Sequence, residues 1–302
     1  MELITGENDS GRRLDRILRK ALPDLSLPLI YRLLRQKKIL INGKPCKAQD
    51  RLSSGDKIAI LSIERSAEIS TVKNNSASVS KSRDNFLQIL WEGSGLIAVN
   101  KPSGIAVHGS ESLETKVMFY LKDKLPKSLS FKPGPLHRID KPSSGVVIFS
   151  SSLEGSRLFS LLLKERKVKK TYLAIIEGSL NKKEIWQDEL LRDKETKKTY
   201  ISGCKESKNA VTEISPVAGT DNYSLIKAQI LTGRTHQIRA QAAFHGHPLA
   251  GDIKYGGKKI LNGFFLHAWK LEFLEYSITA PLPKEFKQMI ISLFGGKALR
   301  EI

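Results

Sequence analysis

The 302-residue sequence has only two cysteines, Cys46 and Cys204, and they lie far apart in the chain. This excludes a disulfide-rich scaffold and a zinc site built on cysteine, and it is typical of a reducing compartment. No apolar run approaches the roughly 18 residues that cross a membrane. The first residues also lack the apolar segment of a signal peptide. We therefore expect a cytoplasmic protein that does not contact a membrane.

Motifs for nucleotide cofactors are missing as well. There is no G-x-x-x-x-G-K-[ST] segment and no G-x-G-x-x-G segment opening a helix, which argues against ATP or dinucleotide binding. There is no H-E-x-x-H motif, and no acidic or cysteine partner stands at ligand spacing from His236, His245 and His247. We expect neither a cofactor nor a metal. A metal-dependent RNA hydrolase stays an alternative that rests on these histidines alone.

Acidic residues are scarce relative to basic ones. The chain has 31 Asp and Glu against 50 Lys and Arg, a formal net charge of +19 at pH 7. Such an excess favours a polyanionic partner, nucleic acid above all. A protein merely kept soluble by lysine would have the same composition, so the charge alone does not decide between these interpretations.

The pattern predicts two folded parts and a linker. Residues 1–63 predict a small α+β module, because apolar residues recur at helical spacing near its start and short strands with turn signals follow. Residues 64–85 are rich in Ser, Asn and Lys, which is typical of a flexible linker. Residues 86–302 contain more predicted strands than helices. We therefore expect an α+β fold in which a mixed, largely antiparallel sheet has flanking helices.

The first part resembles an S4 RNA-binding domain in the segments GRRLDRIL, SLPLIYRLLRQKKILINGK and LSSGDKIAI. The cations Arg32, Arg35 and Lys38 lie on or just after its second predicted helix. Contacts of such residues with phosphates give affinity more than sequence readout. The resemblance thus implies that these three residues bind RNA, and a solvated basic helix face is the alternative.

Three segments of the second part contain residues suited to chemistry. Asp140 lies in the loop segment HRIDKPSSG before an apolar strand, where a carboxylate can project into a cleft. Tyr172 lies in the strand segment KKTYLA, and Arg239 ends the segment GRTHQIR, in which Thr235 is the expected helix N-cap. Taken singly, each has an ordinary alternative: a capping aspartate, a core tyrosine and a surface arginine.

Together these segments resemble the RluA family of pseudouridine synthases, whose motifs are H-R-L-D-x-x-T-S-G, K-x-Y-x-A and G-R-T-H-Q-I-R. The segments NKPSG, GDIKYGG and FFLHA match as well, so the resemblance extends over residues 86–290. The segments IYRLLR and AVHG are similar to the branch that acts on large-subunit ribosomal RNA. Ile139 and Ser143 replace the Leu and Thr of the family but keep the size or the hydroxyl.

The resemblance implies an enzyme that isomerises uridine to pseudouridine in large-subunit ribosomal RNA without a cofactor. Asp140 would act on a flipped-out uridine, either as nucleophile or as base. Arg239 would keep that carboxylate charged, and Tyr172 would pack against the base. The residues leave the choice between the two routes open.

Further residues are expected to bind RNA near the cleft. The resemblance implies that Arg138 fills the space left by the extruded base, and Lys167 and Lys169 are expected to follow backbone phosphates. We expect a monomer, since one chain contains every proposed group. Two alternatives remain: the same reaction on tRNA, and a catalytically idle S4-type RNA-binding or ribosome-assembly factor.

Overall fold

The computed structural model describes residues 1–61, 87–260 and 263–302. The predicted linker 64–85 lies outside the described residues, and so do the ends of the two parts that adjoin it. The described chain forms an N-terminal module, residues 1–61, and a C-terminal domain, residues 87–302, each with its own sheet. In these ranges no helix is long and apolar enough to cross a membrane.

The N-terminal module packs two helices on a small antiparallel sheet. Its elements are β1 (Glu2–Ile4), α1 (Leu14–Ala21), α2 (Leu27–Arg35), β2 (Ile39–Ile41), β3 (Lys44–Pro45) and β4 (Lys57–Ile60), with the strand order β1-β4-β2-β3. The predicted apolar face of α1 is confirmed, because Leu14, Ile17 and Leu18 are completely buried in the core of the module. This packing leaves the basic residues of both helices at the surface.

Eleven of the described strands form the sheet of the C-terminal domain. They are β5 (Gln88–Gly93), β6 (Leu96–Lys101), β7 (Gly134–Pro135), β8 (Ser144–Ser150), β9 (Lys169–Glu177), β10 (Glu184–Arg192), β11 (Thr199–Ile201), β12 (Lys208–Gly219), β13 (Tyr223–Ile230), β14 (Leu266–Phe273) and β15 (Tyr276–Thr279). The order is β11-β10-β12-β13-β9-β14-β8-β6-β5, and β15 and β7 pair with β14 and β8. Among the described pairings only that of β14 with β8 is parallel. The predicted mixed, largely antiparallel sheet is confirmed.

Helices cover both faces of this sheet. They are α3 (Leu113–Leu121), α4 (Leu153–Lys164), α5 (Gln237–Phe244) and α6 (Lys284–Phe294). Successive side chains of β9 point to opposite faces. Tyr172 therefore packs in the same cluster as Ile238 of α5, whereas Leu173 packs with Phe286 of α6. The sheet thus has one face under α5 and another under α6.

Strand β14 brings two distant segments together. Ala268 of β14 is the register partner of Tyr172 on β9 and of Gly145 on β8. Gly145 has a φ of 115°, and a Cβ at this position would collide with the backbone of Ala268. Only glycine permits this conformation and this approach. The loop before β8, which contains Asp140, is thereby placed beside Tyr172.

Candidate active site

A cleft with a volume of about 690 Å³ opens between the loop before β8, strand β9 and the start of α5. The three predicted catalytic residues, Asp140, Tyr172 and Arg239, line it together although they are far apart in the sequence. The volume is in the range of sites for small molecules. The structure therefore assembles the predicted residues into one place that is large enough for a nucleotide.

The Asp140 carboxylate is held from one side by Arg239. The Nη1 atom of Arg239 donates to Oδ2 of Asp140 over 3.1 Å. The other edge of the guanidinium is occupied by Asp252, because Nε donates to Oδ2 over 2.7 Å and Nη2 to Oδ1 over 2.8 Å. Asp252 is 1% exposed and Asp140 retains 21% side-chain exposure. One arginine therefore connects a buried carboxylate to one that faces the cleft.

Aromatic rings fix the plane of this guanidinium. Its central carbon lies 4.3 Å from the ring centre of Phe264 and 4.9 Å from that of Tyr255. Burial would lower the pKa of Arg239, but the hydrogen bonds and charges of Asp252 and Asp140 outweigh burial and raise it. Arg239 is thus a permanent cation with a fixed orientation, and it forms a charge-assisted hydrogen bond with Asp140.

Tyr172 forms an apolar wall of the cleft. It is 7% exposed and packs with Ala268 and Leu266 of β14. Burial raises the pKa of its hydroxyl, and the negative charge of Asp140 raises it further. The phenol is therefore neutral at physiological pH, and its ring offers a flat surface beside the carboxylate.

His236 also lines the cleft, although the sequence suggested it only as a candidate metal ligand. It has a φ of 54° and stands before the first residue of α5, Gln237. Its Nδ1 is 2.8 Å from the hydroxyl of Tyr255, which itself accepts a hydrogen bond from the backbone N–H of Thr199. Nδ1 also lies 3.3 Å from Nη1 of Arg192, which can only donate, so Nδ1 is an acceptor, Tyr255 donates to it, and the ring proton lies on Nε2. That atom is 3.8 Å from Oδ1 of Asp140.

The charge of His236 follows from its surroundings. Burial lowers the pKa of His236 to about 4, against the attraction of Asp140, so the ring is neutral at pH 7.

The expectation that Thr235 caps α5 is wrong, because the residue before the helix is His236 and no side chain among the described residues caps it. The side chain of Gln237 satisfies this turn instead, since its Oε1 accepts from the hydroxyl of Thr232 and the backbone N–H of Arg234.

Lys101 is a second residue that the motifs contained but that was not predicted as part of the site. It is fully buried, and its Nζ donates to the carbonyl oxygens of Pro102, Ile105 and Lys141. Burial lowers the pKa of Lys101 to about 8, against the attraction of Asp140. Because Lys141 directly follows Asp140, this contact holds the loop in place.

The cations predicted near the cleft differ in their placement. Arg138 is exposed and lines the cleft. Lys167 is exposed and pairs with Glu165 over 2.8 Å, and Lys169 is exposed on β9. Lys170, two residues before Tyr172, is the lysine of this group that lines the cleft. The alternation of side chains along a strand would have identified Lys170, because it shares the face of Tyr172.

The predicted RNA-binding residues of the N-terminal module are at its surface. Arg32 and Arg35 are exposed on the last turn of α2, and Lys38 is half-buried just before β2. This position agrees with their predicted placement on or just after the second helix. Their contact with RNA stays a prediction.

The remaining histidines have ordinary partners. His245 contacts Asp188 over 3.1 Å, and His247 contacts the carbonyl oxygen of Glu177 over 2.9 Å. Within residues 1–61, 87–260 and 263–302, no group of three or more His, Cys, Asp or Glu side chains could hold a metal ion.

Comparison with known proteins assigns both parts of the chain. The model of the family described as RNA pseudouridylate synthase matches residues 95–244, and the S4 domain model matches residues 12–58. A Haemophilus influenzae protein named Ribosomal large subunit pseudouridine synthase C is 32% identical, over 90% of this chain and 86% of its own. The chain belongs to the RNA pseudouridylate synthase family. The resemblance stated from the motifs is thereby confirmed.

Two further relatives extend over almost the whole synthase. The Pasteurella multocida protein named Ribosomal large subunit pseudouridine synthase C is 30% identical, over 98% of this chain and 94% of its own. The Bacillus subtilis protein named Uncharacterized RNA pseudouridine synthase YlyB is 28% identical, over 97% and 98%. The solved structure of Human RNA Pseudouridylate Synthase Domain Containing 4 covers 70% of this chain and 93% of its own, with 22% identity and a TM-score of 0.58. This likeness agrees with the fold.

Proposed function

We propose that this synthase converts uridines of large-subunit ribosomal RNA to pseudouridine, as a cytoplasmic monomer, with Asp140 as the catalytic residue. One observation carries the proposal. The Asp140 carboxylate faces a cleft of nucleotide size while Arg239, itself oriented by Asp252, holds it over 3.1 Å. One chain supplies every group of this site, which supports the monomer.

The reaction is an isomerisation that needs no oxidant, reductant or group donor. The bond between N1 of uracil and C1′ of the ribose breaks, a bond between C5 and C1′ forms, and the proton lost from C5 is balanced by one gained at N1. Asp140 serves either as nucleophile or as the base that removes a proton, and both roles need the ionised carboxylate. The cation Arg239 orients the carboxylate through its hydrogen bond, and the neutral ring of Tyr172 supplies a wall for the uracil.

The target base must leave its stack to reach this cleft. Extrusion of a base costs a few kcal/mol, which contacts in the pocket and in the vacated space repay. Arg138 is exposed at the cleft and can stack on bases or bind phosphate through its planar guanidinium. The hydroxyl of Ser143 is buried, lines the cleft and has no hydrogen-bond partner among the described residues, so it is available to the substrate.

The choice of RNA rests on the relatives and on charge. Two bacterial relatives are named as synthases of the large ribosomal subunit. The net charge of +19 suits a polyanion, and the S4 domain supports RNA binding by Arg32, Arg35 and Lys38. The cluster around β9, including Lys167 and Lys169, would add contacts with backbone phosphates.

A pseudouridine map of total RNA, from cells with and without this gene, tests the proposal. Signals in large-subunit ribosomal RNA should disappear without the gene and return with the wild-type chain but not with Asp140→Ala. Loss of a tRNA signal instead would keep the chemistry and change the substrate. If no signal changes, the chain is an RNA-binding factor without this activity. Return of the signals with Asp140→Ala would refute the role of Asp140.

A further inference from the structure

The N-terminal module is joined to the C-terminal domain by one buried carboxylate. Asp9 is completely buried, and its Oδ1 accepts from the Ser128 hydroxyl over 2.7 Å and from the N–H and hydroxyl of Ser130 over 3.0 and 2.5 Å. Its Oδ2 accepts from the N–H groups of Leu129 and Gly6 over 2.9 and 3.0 Å. Five donors therefore fix this carboxylate, four of them from the other domain.

Further contacts extend this domain interface, which we define as residues 6–9 against residues 127–130 and Leu153. The Oδ1 of Asn8 accepts from the backbone N–H of Leu153, the first residue of α4, over 2.8 Å. Leu129 packs against the apolar core of the module. The two domains are thus held by polar and apolar contacts at once, so that residues on either side keep a fixed spacing.

Three arginines belong to the segments that form this interface or directly follow them. Arg12 follows Asp9 by three residues, Arg16 is exposed on α1, and Arg157 is exposed on α4, four residues after Leu153. Burial lowers the pKa of the half-buried Arg12, and the positive charges of Arg157 and Arg16 lower it further, with Asp9 opposing them. We call these three residues the arginine cluster.

The arginine cluster has no partner of its own in the described parts of the chain. The side-chain hydrogen bonds and ion pairs of described arginines involve other residues: Arg13, Arg51, Arg192, Arg234 and Arg239. Asp9 is the nearby carboxylate, but five donors already occupy its oxygens. Like charges held close together disfavour the folded arrangement unless an anion joins them. An anion bound among these side chains would relieve the repulsion, and Arg16 and Arg157 are exposed to receive one.

We propose that the arginine cluster is a binding site for backbone phosphates of structured RNA, formed by both domains together. The inference rests on the proposed function, in which RNA is the substrate. It adds that a single stretch of RNA backbone contacts Arg12 and Arg16 from one domain and Arg157 from the other. The domain interface then sets the distance between this contact and the cleft, and so contributes to the choice of uridine.

The test measures how RNA affinity depends on salt, using the full chain and transcribed large-subunit ribosomal RNA. Each phosphate contact that is lost reduces the slope of log affinity against log salt by about 0.7 to 0.9. Arg157→Ala should reduce it by about that amount and Arg157→Lys should restore it. Arg300→Ala removes the same charge from an exposed position beside α6, whose apolar cluster contains no residue of the domain interface, and should leave the slope unchanged.

A double-variant cycle tests whether the two domains act together. The effects of Arg12→Ala and Arg157→Ala on affinity should be non-additive, because both residues bind one stretch of backbone, whereas Arg12→Ala and Arg300→Ala should add. In a chain with Asp9→Ala and Leu129→Ala, the effect of Arg157→Ala should shrink. Circular dichroism of each variant checks that the domains remain folded.

Two outcomes overturn the proposal. One is a slope for Arg157→Ala equal to that of Arg300→Ala, and the other is strict additivity of Arg12→Ala and Arg157→Ala. Failure of the proposed function is a separate result, since it would appear as wild-type RNA binding without any pseudouridine. Bulk tRNA as a second probe keeps the slope measurement decisive if ribosomal RNA is not the substrate.

Discussion

Arg239 in the cleft is buried and paired with two carboxylates, whereas Arg16 and Arg157 of the arginine cluster are exposed and have no partner among the described residues. In the cleft, Arg239 divides its donors between Asp252 and Asp140. Beside the domain interface, Arg16 and Arg157 are exposed without a described partner. A paired charge has a fixed direction, which suits chemistry at one atom. An unpaired charge has free donors, which suit a phosphate that arrives later.

The largest effect should follow from removing the buried carboxylate charge of Asp252, which pairs with Arg239. Asp252→Asn removes the charge that orients Arg239 but keeps the shape of the side chain. Charge-assisted hydrogen bonds contribute about 1.5 to 3 kcal/mol, so kcat should fall on the order of 10- to 100-fold. Affinity for RNA should not change, because Asp252 is 1% exposed. Single-turnover kinetics and binding titrations separate the two quantities.

Asp188→Asn is the matched control for Asp252→Asn. Asp188 also holds α5, because it accepts from Nε2 of Gln241 over 2.7 Å, but it does not line the cleft. Its substitution should lower stability with little change in kcat. Equal effects of the two variants on kcat would mean that Asp252 supports the fold alone and does not position Arg239.

A second prediction uses pH to distinguish the two domains. Burial lowers the pKa values of His236 and His267 to about 4 and that of His137 to about 3, compared with 6.5 for ordinary histidine. As the pH falls below 6.5, these three histidines bind protons in the unfolded chain but stay neutral in the folded chain. The free energy of unfolding therefore decreases as the pH falls toward 4. The loss between pH 7.5 and 5.5 should be about 4 kcal/mol in urea unfolding.

The stability of the N-terminal module should depend on pH in a lower pH range than that of the C-terminal domain. It contains no histidine. Burial would raise the pKa of Asp9, but hydrogen bonds from Ser130 and its neighbours outweigh it and lower the pKa below 3.8. The contribution of Asp9 is thus present above pH 3.8 and lost only below it. Hydrogen exchange at pH 5.5 should show weaker protection in the C-terminal domain first, and equal weakening of both would contradict this assignment.

Local features of both domains were predictable from the sequence, because they depend on near neighbours. The spacing of Leu14, Ile17 and Leu18 predicts the buried face of α1, and it is buried. The motifs predicted Asp140 and Arg239 only through a family resemblance, since 99 residues separate them and no spacing rule brings them together. The register of β14 with β8 and β9 places the loop before β8 beside β9, and the motifs do not contain this spatial relation.

Polar contacts over long sequence distances were not predictable. Asp9 and Ser130 lie 121 residues apart, and an aspartate followed by serine and glycine, as Asp9 is, is typical of a turn. Asp252 was noted only as part of a glycine-rich segment, and nothing in that segment marks it as the partner of Arg239. Such contacts depend on how complete elements pack, which a pattern of apolar residues does not encode.

A third prediction concerns the module's own surface. Removing two cations in Arg35→Ala/Lys38→Ala should reduce the salt slope by about 1.4 to 1.8, as expected for two phosphate contacts. The kcat at saturating RNA should not change, because neither residue is near the cleft. Arg19→Ala/Lys20→Ala, on the exposed last turn of α1, is the comparison. Equal salt slopes for the two double variants would mean that the module attracts RNA through its overall positive charge and not through specific contacts of Arg35 and Lys38.

The smallest effect should come from single lysines of β9. Comparing Lys170 with Lys169 shows whether RNA binding depends on the position of a lysine in the cleft or only on its positive charge. Lys170 lines the cleft on the same face as Tyr172, and burial lowers its pKa, whereas Lys169 is exposed. Lys170→Ala should reduce the salt slope by about one contact, and Lys169→Ala should reduce it less. If Lys169→Ala has the larger effect, phosphates follow the outer edge of β9, and the cleft binds the target nucleotide without help from a cation on that strand.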